Sequence, residues 1–132
     1  GLGDVYKRQV KNTSQWSKDL DNKANNKFVQ DFQKEYGRLP SLYASQGYDT
    51  GKLLISALNV ADVKDQDKFR SALKNANFES TRGSFKFDTN QHPIQDIYVR
   101  EVIKEGNILT NKIISTGLKN RSNAYVKDCP LK

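Results

Sequence analysis

The spacing of apolar residues predicts a first helix in the early part of the chain. Four of them recur at the three- and four-residue intervals that share one helical face. These residues are Phe28, Val29, Phe32 and Tyr36. Gly37 follows at the position where helices commonly end in a left-handed residue. Upstream the chain is polar, and Trp16 and Leu20 have the i, i+4 spacing of a short helical turn.

The most apolar segment, Leu39–Ala61, predicts a second helix. Pro40 favours an extended conformation for the residue before it, so the helix is expected to begin later. Ser45–Gly47 is interpreted as a turn with Ser45 as the N-cap, and Tyr48 as the first residue of the helix. Its apolar face is formed by Leu53, Leu54, Ala57, Leu58, Val60 and Ala61. The rest of the fold is expected to pack on this face.

A third helix and a short strand are predicted downstream. Asp65 is the expected N-cap of the helix, whose apolar face is formed by Phe69, Ala72, Leu73 and Ala76. Residues 75–80 are expected to form a loop, and Thr81–Gly83 a turn. Ser84–Phe87 then alternates polar and apolar residues, which is typical of a half-buried strand.

The last third of the chain predicts a β-hairpin. Pro93 restarts the chain in an extended conformation, and Ile97–Ile103 and Ile108–Ile114 are rich in β-forming residues. Gly106 or Asn107 is expected to adopt positive φ in the turn between them. The first of these strands is apolar on both sides, which indicates an interior strand. Thr116–Lys132 is interpreted as a polar tail that Tyr125 and Val126 hold to the fold.

The amino-acid composition limits the classes of protein to which this chain can belong. The chain has 132 residues, the length of one domain. Only 36% of its residues are apolar, which fits either a piece of a larger protein or a small, very soluble domain. The net charge of +7 suggests nucleic-acid binding, but the lysines are scattered singly and no arginine-rich helix occurs. No apolar run of about 18 residues predicts a membrane span.

The residues argue against an enzyme. The single histidine, His92, precedes a proline in a polar loop, and the single cysteine, Cys129, has no partner with which to form a metal or redox motif. The sequence has no glycine-rich phosphate loop and no cluster of metal ligands. We therefore predict no catalytic residues, no metal and no cofactor.

A binding role fits better, and the turn at Ser45–Gly47 is its predicted site. Backbone N–H groups at a helix start can meet a ligand oxygen, so Ser45 and Gln46 are candidate ligand-binding residues. Tyr43 and Tyr48 flank the turn and can supply apolar walls with a polar tip. The alternative for Tyr48 is that it only packs the start of the helix.

Three segments carry a resemblance to a known family. Residues 40–58 have the form P-x-x-x-A-x-x-G-Y-D-x-x-x-L-L-x-x-A-L, residues 28–41 read FVQDFQKEYGRLPS, and residues 81–102 read TRGSFKFDTNQHPIQDIYVREV. Together, and in this order, they resemble the type I periplasmic binding proteins, specifically the leucine/isoleucine/valine-binding branch. The resemblance covers roughly Trp16 to the C-terminus.

The resemblance implies an α/β fold, namely the C-terminal part of a two-lobed protein, with helices and a β-hairpin. Residues 1–9 show no pattern and are interpreted as a non-native leader, of the kind left by a translated adapter sequence. Residues 10–38 would be a segment of the second lobe and residues 39–93 a segment of the first. Residues 94–132 would form the crossover strand, the second-lobe hairpin and the tail.

The resemblance also implies a function. The chain would belong to the substrate-binding protein of an ABC importer, which captures a small organic acid or amino acid between its lobes and delivers it to a membrane permease. Such a protein is expected to be monomeric at full length and to act in the periplasm, or outside the cell on a membrane anchor. The aromatic residue before the aspartate of the motif, Tyr48, would lie near the ligand. The resemblance further implies that Cys129 pairs with a cysteine outside this sequence.

Two other classes remain open. The ligand-binding domain of a sensory receptor shares the same fold, and a small basic nucleic-acid-binding protein would share the charge. A receptor would continue into a membrane helix, and a nucleic-acid-binding protein would be expected to cluster its lysines and arginines.

Overall fold

The computed structural model describes residues 10–130. The predicted leader, residues 1–9, lies outside the described residues, as do the last two. The elements, in chain order, are β1 (Lys11–Ser14), α1 (Lys23–Tyr36), α2 (Leu42–Leu58), α3 (Gln66–Asn75), β2 (Lys86–Phe87), β3 (Pro93–Glu105), β4 (Ile108–Arg121) and a 3₁₀ turn (Val126–Asp128). The predicted α/β class is confirmed.

Strand β3 is the centre of the sheet, as predicted for an interior strand. It pairs antiparallel with β4 along most of its length, with β1 from Tyr98 to Glu101, and with β2 at Pro93 and Ile94. Strand β1 was not predicted, because Lys11–Ser14 is polar and carries no alternating pattern. Its position depends on hydrogen bonds to β3, which the local sequence does not encode.

The predicted hairpin of β3 and β4 is confirmed, with positive φ at Gly106 (58°). The second strand is longer than predicted, since β4 continues to Arg121 and takes in the first residues of the expected tail. Tyr125 is 74% exposed, so the prediction that it holds the tail to the fold is wrong. A ring that exposed buries too little apolar area to hold the tail in place.

Helix α1 ends as predicted, at a left-handed Gly37 with φ of 63°. It begins earlier than the apolar stripe indicated, because Asn22 caps it and accepts a hydrogen bond from the backbone N–H of Asn25. Helix α3 has the predicted N-cap, Asp65, and the turn before β2 has Gly83 at φ of 87°. The strand predicted at Ser84–Phe87 is reduced to its last two residues.

The core forms where α1 meets the central strand. Trp16, Leu20, Phe28 and Tyr98 are its buried residues, and the Trp16 ring meets the Phe28 ring edge-on with centroids 6.2 Å apart. Trp16 and Leu20 are thus anchors, as predicted, but they lie in an irregular turn and not in a helical one. Burial, together with the nearby negative charge of Asp96, raises the pKa of the Tyr98 phenol.

Asn25 holds that irregular turn together. It has no exposed surface, and its Oδ1 accepts the hydrogen bond of the Trp16 indole N–H at 2.7 Å. Its Nδ2 donates to the backbone carbonyls of Lys18 (3.2 Å) and Leu20 (3.0 Å). A single amide from α1 therefore satisfies polar groups that the non-helical backbone of residues 16–20 leaves without partners.

Helix α2 begins at Leu42, with Ser41 as its N-cap, so the predicted turn at Ser45–Gly47 and the N-cap at Ser45 are wrong. Ser41 Oγ accepts the Ala44 N–H at 3.3 Å, and the Ser45 N–H donates to the Ser41 carbonyl at 3.1 Å. The physical reason is that Ser41 offers an equally good cap directly after Pro40. The helix takes the earlier cap because six more residues, 42–47, then join the helix.

The apolar face of α2 is mostly uncovered in residues 10–130, contrary to the prediction that the fold packs on it. Ala57 is fully buried, but the larger side chains of this part of the chain are not. Leu54, Ile55, Leu58 and Val60 are between 42% and 72% exposed. No helix of the described residues has the length and apolar character needed to cross a membrane.

We expect Asn25→Ala to lower the free energy of unfolding by about 3 kcal/mol. The buried indole N–H and the Lys18 carbonyl lose their partner, and the Leu20 carbonyl keeps only the Asn22 N–H. Asn26→Ala is the matched control. Asn26 is exposed on the same helix, and its replacement should change stability by less than about 0.5 kcal/mol. Urea unfolding of both variants measures the difference, and equal losses would show that Asn25 does not hold the turn.

Candidate functional site

The four predicted site residues lie on the first two turns of α2, and the structure does not bring them together. Ser45 has no exposed surface, and its Oγ donates to the Leu42 carbonyl at 2.8 Å. Tyr43 is 79% exposed. Gln46 and Tyr48 are half-buried and line two different cavities. Since Ser45 is inside the helix, the predicted loop with free backbone donors is absent.

The first cavity, the aromatic groove, lies between α1 and α2 and has a volume of about 460 Å³. Its lining residues are Phe28, Asp31, Phe32, Glu35, Tyr36, Ala44, Gly47 and Tyr48. The Tyr48 ring packs on Phe28 with centroids 4.8 Å apart. Tyr48 therefore packs against α1 and also lines the groove.

Cations lie over two of the groove's rings. The Arg38 guanidinium is 5.2 Å from the centroid of Phe32, and Lys52 Nζ is 5.7 Å from that of Tyr48. On the rim, the Asp31 carboxylate is paired with Lys27 Nζ at 2.7 Å. The groove thus combines flat apolar walls with two acidic residues in its lining, Asp31 and Glu35, and with the cations of Arg38 and Lys52 over its rings.

The second cavity, the Arg82 pocket, lies on another side of α2 and has a volume of about 320 Å³. It is lined by Gln46, Asp49, Thr50, Leu53, Phe78, Arg82, Phe85, Phe87 and Pro93. The Arg82 guanidinium lies 4.5 Å from the centroid of the Phe85 ring. This pocket is also aromatic, but its one cation is held by an acidic partner.

That partner is Asp49, which is 1% exposed. Asp49 Oδ2 accepts from Arg82 Nε at 3.1 Å and from Ser80 Oγ at 2.6 Å, while Oδ1 accepts the Thr81 backbone N–H at 2.9 Å. The carboxylate is therefore surrounded by donors, as a buried charge requires. The arrangement ties α2 to the turn that precedes β2.

Sequence reasoning missed this buried carboxylate, although one signal was present. Asp49 follows Ser45 by four residues, so the two share a helical face, and both are buried. An aspartate in the most apolar segment of a chain needs a cation, and Arg82 stands beside the glycine of the predicted turn. Asp49 and Arg82 are 33 residues apart in the sequence, so a local pattern could not reveal that they pair.

Metal-ligating side chains are dispersed in the described part of the chain. Residues 10–130 contain no group of three or more His, Cys, Asp or Glu side chains close enough to hold a metal ion. His92 is exposed, and its Nδ1 lies 3.0 Å from Asn123 Nδ2. Cys129 is a free, half-buried thiol near the end of the described residues.

A comparison with protein families decides what kind of protein this is. The family model described as periplasmic binding protein matches residues 2–107, about four fifths of the chain. The chain belongs to the periplasmic binding protein family. The resemblance drawn from the three sequence segments is thereby confirmed.

Solved periplasmic binding proteins have the same fold. A solute-binding protein of an ABC transporter from R. palustris, in complex with benzoate, matches 89% of this chain at 29% identity with a TM-score of 0.81. Another, from Rhodopseudomonas palustris BisB5 in complex with 3,4-dihydroxybenzoic acid, matches 89% at 27% identity with a TM-score of 0.76. An ABC-type branched-chain amino acid transporter protein from Rhodopseudomonas palustris CGA009 matches 88% at 20% identity with a TM-score of 0.72, a likeness of fold.

The chain spans about a third of the length of these proteins, 32% of the benzoate complex and 33% of each of the other two. Among curated proteins, none is similar enough to this chain to count as a match. The family and the fold are therefore established for this chain by the family model and by solved structures.

We expect Asp49→Asn to lower the free energy of unfolding by about 3–5 kcal/mol, because it leaves the Arg82 guanidinium buried without a counter-charge. The double variant Asp49→Leu/Arg82→Leu should recover part of that loss, since it removes both charges. Asp31→Asn, which removes an exposed ion pair, should cost less than about 0.5 kcal/mol. Chemical denaturation of the three variants tests this, and an equal loss for Asp31→Asn and Asp49→Asn would contradict it.

Proposed function

We propose that this chain is part of the solute-binding protein of an ABC importer, and that its ligand is a small organic acid or amino acid, with aromatic carboxylates as the first class to test. The observation that carries the proposal is the 29% identity and TM-score of 0.81 to a benzoate-bound solute-binding protein. Two further relatives above 25% identity are complexes with 3,4-dihydroxybenzoic acid and 4-hydroxybenzoate.

The partners follow from this role. We propose that the protein binds its ligand outside the cytoplasmic membrane, in the periplasm or on an extracellular anchor, and delivers it to the membrane permease of the importer. We propose a monomer at full length. The family's name and the ABC transporter proteins among its solved structures support this setting.

For the site, we propose that α2 supplies one wall of the aromatic groove, with Tyr48 as its main contact, whereas Gln46 lines the Arg82 pocket on another side of the helix and is a separate, second candidate. Tyr48 faces the aromatic groove, where a benzoate-like ring can stack while its carboxylate meets Arg38 or Lys52. Tyr43 and Ser45 stay weaker candidates, because Tyr43 lies in open solvent and Ser45 has no surface that a ligand can reach.

The first test is a ligand panel on the gene product that contains this chain. Benzoate, 4-hydroxybenzoate, 3,4-dihydroxybenzoate and leucine are added separately, with glucose as a neutral control, and thermal unfolding is followed. A ligand present at about a hundred times its Kd stabilises the folded state by about 2.7 kcal/mol, which raises the midpoint by several degrees. We expect an aromatic acid to produce this shift.

Other outcomes of the panel are equally informative. A shift with leucine alone would keep the importer role and reject the aromatic acid as the preferred class. A shift with glucose alone would contradict the proposed ligand class altogether. Isothermal titration calorimetry of the responding ligand then gives the Kd that the site variants are compared with.

The second test concerns Tyr48. Tyr48→Ala is expected to weaken acid binding about tenfold, or 1.4 kcal/mol, and also to lower stability because its ring packs on Phe28. Leu20→Ala is the control: Leu20 is buried in the core and lines neither cavity. It should lose about 2–5 kcal/mol of stability with unchanged affinity in the molecules that fold. Unchanged affinity in Tyr48→Ala would make Tyr48 a packing residue only.

A further inference from the structure

Strand β3 changes partners part-way along its length. Its first two residues, Pro93 and Ile94, pair with β2, whereas Tyr98 to Glu101 pair with β1. The first pairing attaches β3 to α2, α3, the turn at Thr81–Gly83 and β2, which we call the α2 unit. The second attaches β3 to β1 and α1; these two elements and β4, which has its own ladder with β3, are called the α1 unit. Residues 95–97 therefore connect two packing units.

The ladder between β3 and β4 is irregular at the same place. Register shifts fall between Gln95 and Ile97, between Ile97 and Tyr98, and between Val99 and Arg100. Asn120 on β4 adopts φ of 47°, and its N–H donates to Asp96 Oδ1 at 2.8 Å. Irregular ladders bend strands and weaken their pairing, so the backbone hydrogen bonds alone do not fix the course of β3 here.

Arg82 contacts β3 at this point. While Arg82 Nε is held by Asp49, its Nη1 donates to Gln95 Oε1 at 2.9 Å. The guanidinium is rigid and planar, and it lies over the Phe85 ring. A continuous set of hydrogen bonds thus runs from α2, through a buried side chain, to the residue where β3 leaves the α2 unit.

We propose that Arg82 is a positioning residue that holds β3 at Gln95 and so sets the orientation of the α2 unit relative to the α1 unit. Other contacts join the units, notably Asn22 Nδ2 to the Thr81 carbonyl at 3.1 Å and the Tyr48 ring on Phe28. The Arg82 contact differs from these in that it holds the connecting strand itself, at its irregular residues.

The consequence for ligand binding rests on the proposed function. A ligand that contacts both units binds best when their orientation is already set, because less ordering then accompanies binding. Loosening the contact at Gln95 should therefore lower affinity even though Gln95 lines neither the aromatic groove nor the Arg82 pocket.

The test uses the gene product that contains this chain, with its native cysteines, Cys129 among them, replaced by serine. Spin labels are placed at Gln33 on α1 and Ser71 on α3, both exposed. The distribution of distances between them is measured without ligand in the native form and in Gln95→Leu, which keeps the bulk of the side chain but lacks the acceptor. Gln95→Glu restores an acceptor, and Gln30→Leu on the exposed face of α1 is the matched control.

We expect Gln95→Leu to broaden the distance distribution, and Gln95→Glu and Gln30→Leu to leave it narrow. Backbone amides of residues 94–98 should exchange hydrogen roughly tenfold faster in Gln95→Leu, because a hydrogen bond to a charged group is lost. An unchanged distribution in Gln95→Leu would overturn the proposal. Equal broadening in Gln95→Glu would do the same, because the bulk of the side chain and not its acceptor would then matter.

Measurements of ligand affinity distinguish a failure of this inference from a failure of the proposed function. If the native protein binds none of the panel acids, the proposed function fails, while the distances still decide the role of Arg82. If it binds an acid, we expect Gln95→Leu to weaken that binding by about tenfold, with Gln95→Glu close to native. Native affinity in Gln95→Leu together with a broadened distribution would overturn the link between orientation and binding.

Discussion

The buried pair of Asp49 and Arg82 is the interaction on which the arrangement of the α2 unit depends. Helix α2 carries few buried apolar side chains, so hydrophobic burial alone does not fix what lies beside it. The carboxylate instead gathers three donors from Ser80, Thr81 and Arg82. Because a buried charge tolerates few other arrangements, this pair specifies the position of the turn more sharply than packing would.

Elements whose signals are local could be predicted from the sequence. Helix α1 was predicted from its apolar face and from Gly37 at its end, and α3 from its N-cap at Asp65. The hairpin was predicted from its two apolar strands and from Gly106 in the turn. Each depends on residues within a few positions of one another. Strand β1 was not predicted because its conformation depends on pairing with β3. The start of α2 was predicted wrongly because Ser41 and Ser45 can both cap the helix, and local sequence does not decide between them.

The site was predictable only in part. The sequence pointed to a stretch of α2 on which two of the predicted residues, Gln46 and Tyr48, line cavities. It could not give the directions in which their side chains point, because a start shifted from Tyr48 to Leu42 changes which residues belong to the helix. Arg82 was seen only as part of a turn, since its role depends on Asp49 and Gln95, which lie far from it along the chain.

The long-range pairing of β1 with β3 has a consequence for the order of folding. Asn12 meets Arg100 across 88 residues, and the Trp16 carbonyl meets the same guanidinium across 84. Closing so long a loop is slow relative to forming a helix or a hairpin with a two-residue turn. Strand β1 can therefore pair with β3 only after residues 98–101 have left the ribosome, whereas each helix needs only residues close to it in the chain. The core around Trp16 has the same requirement, because Tyr98 is part of it.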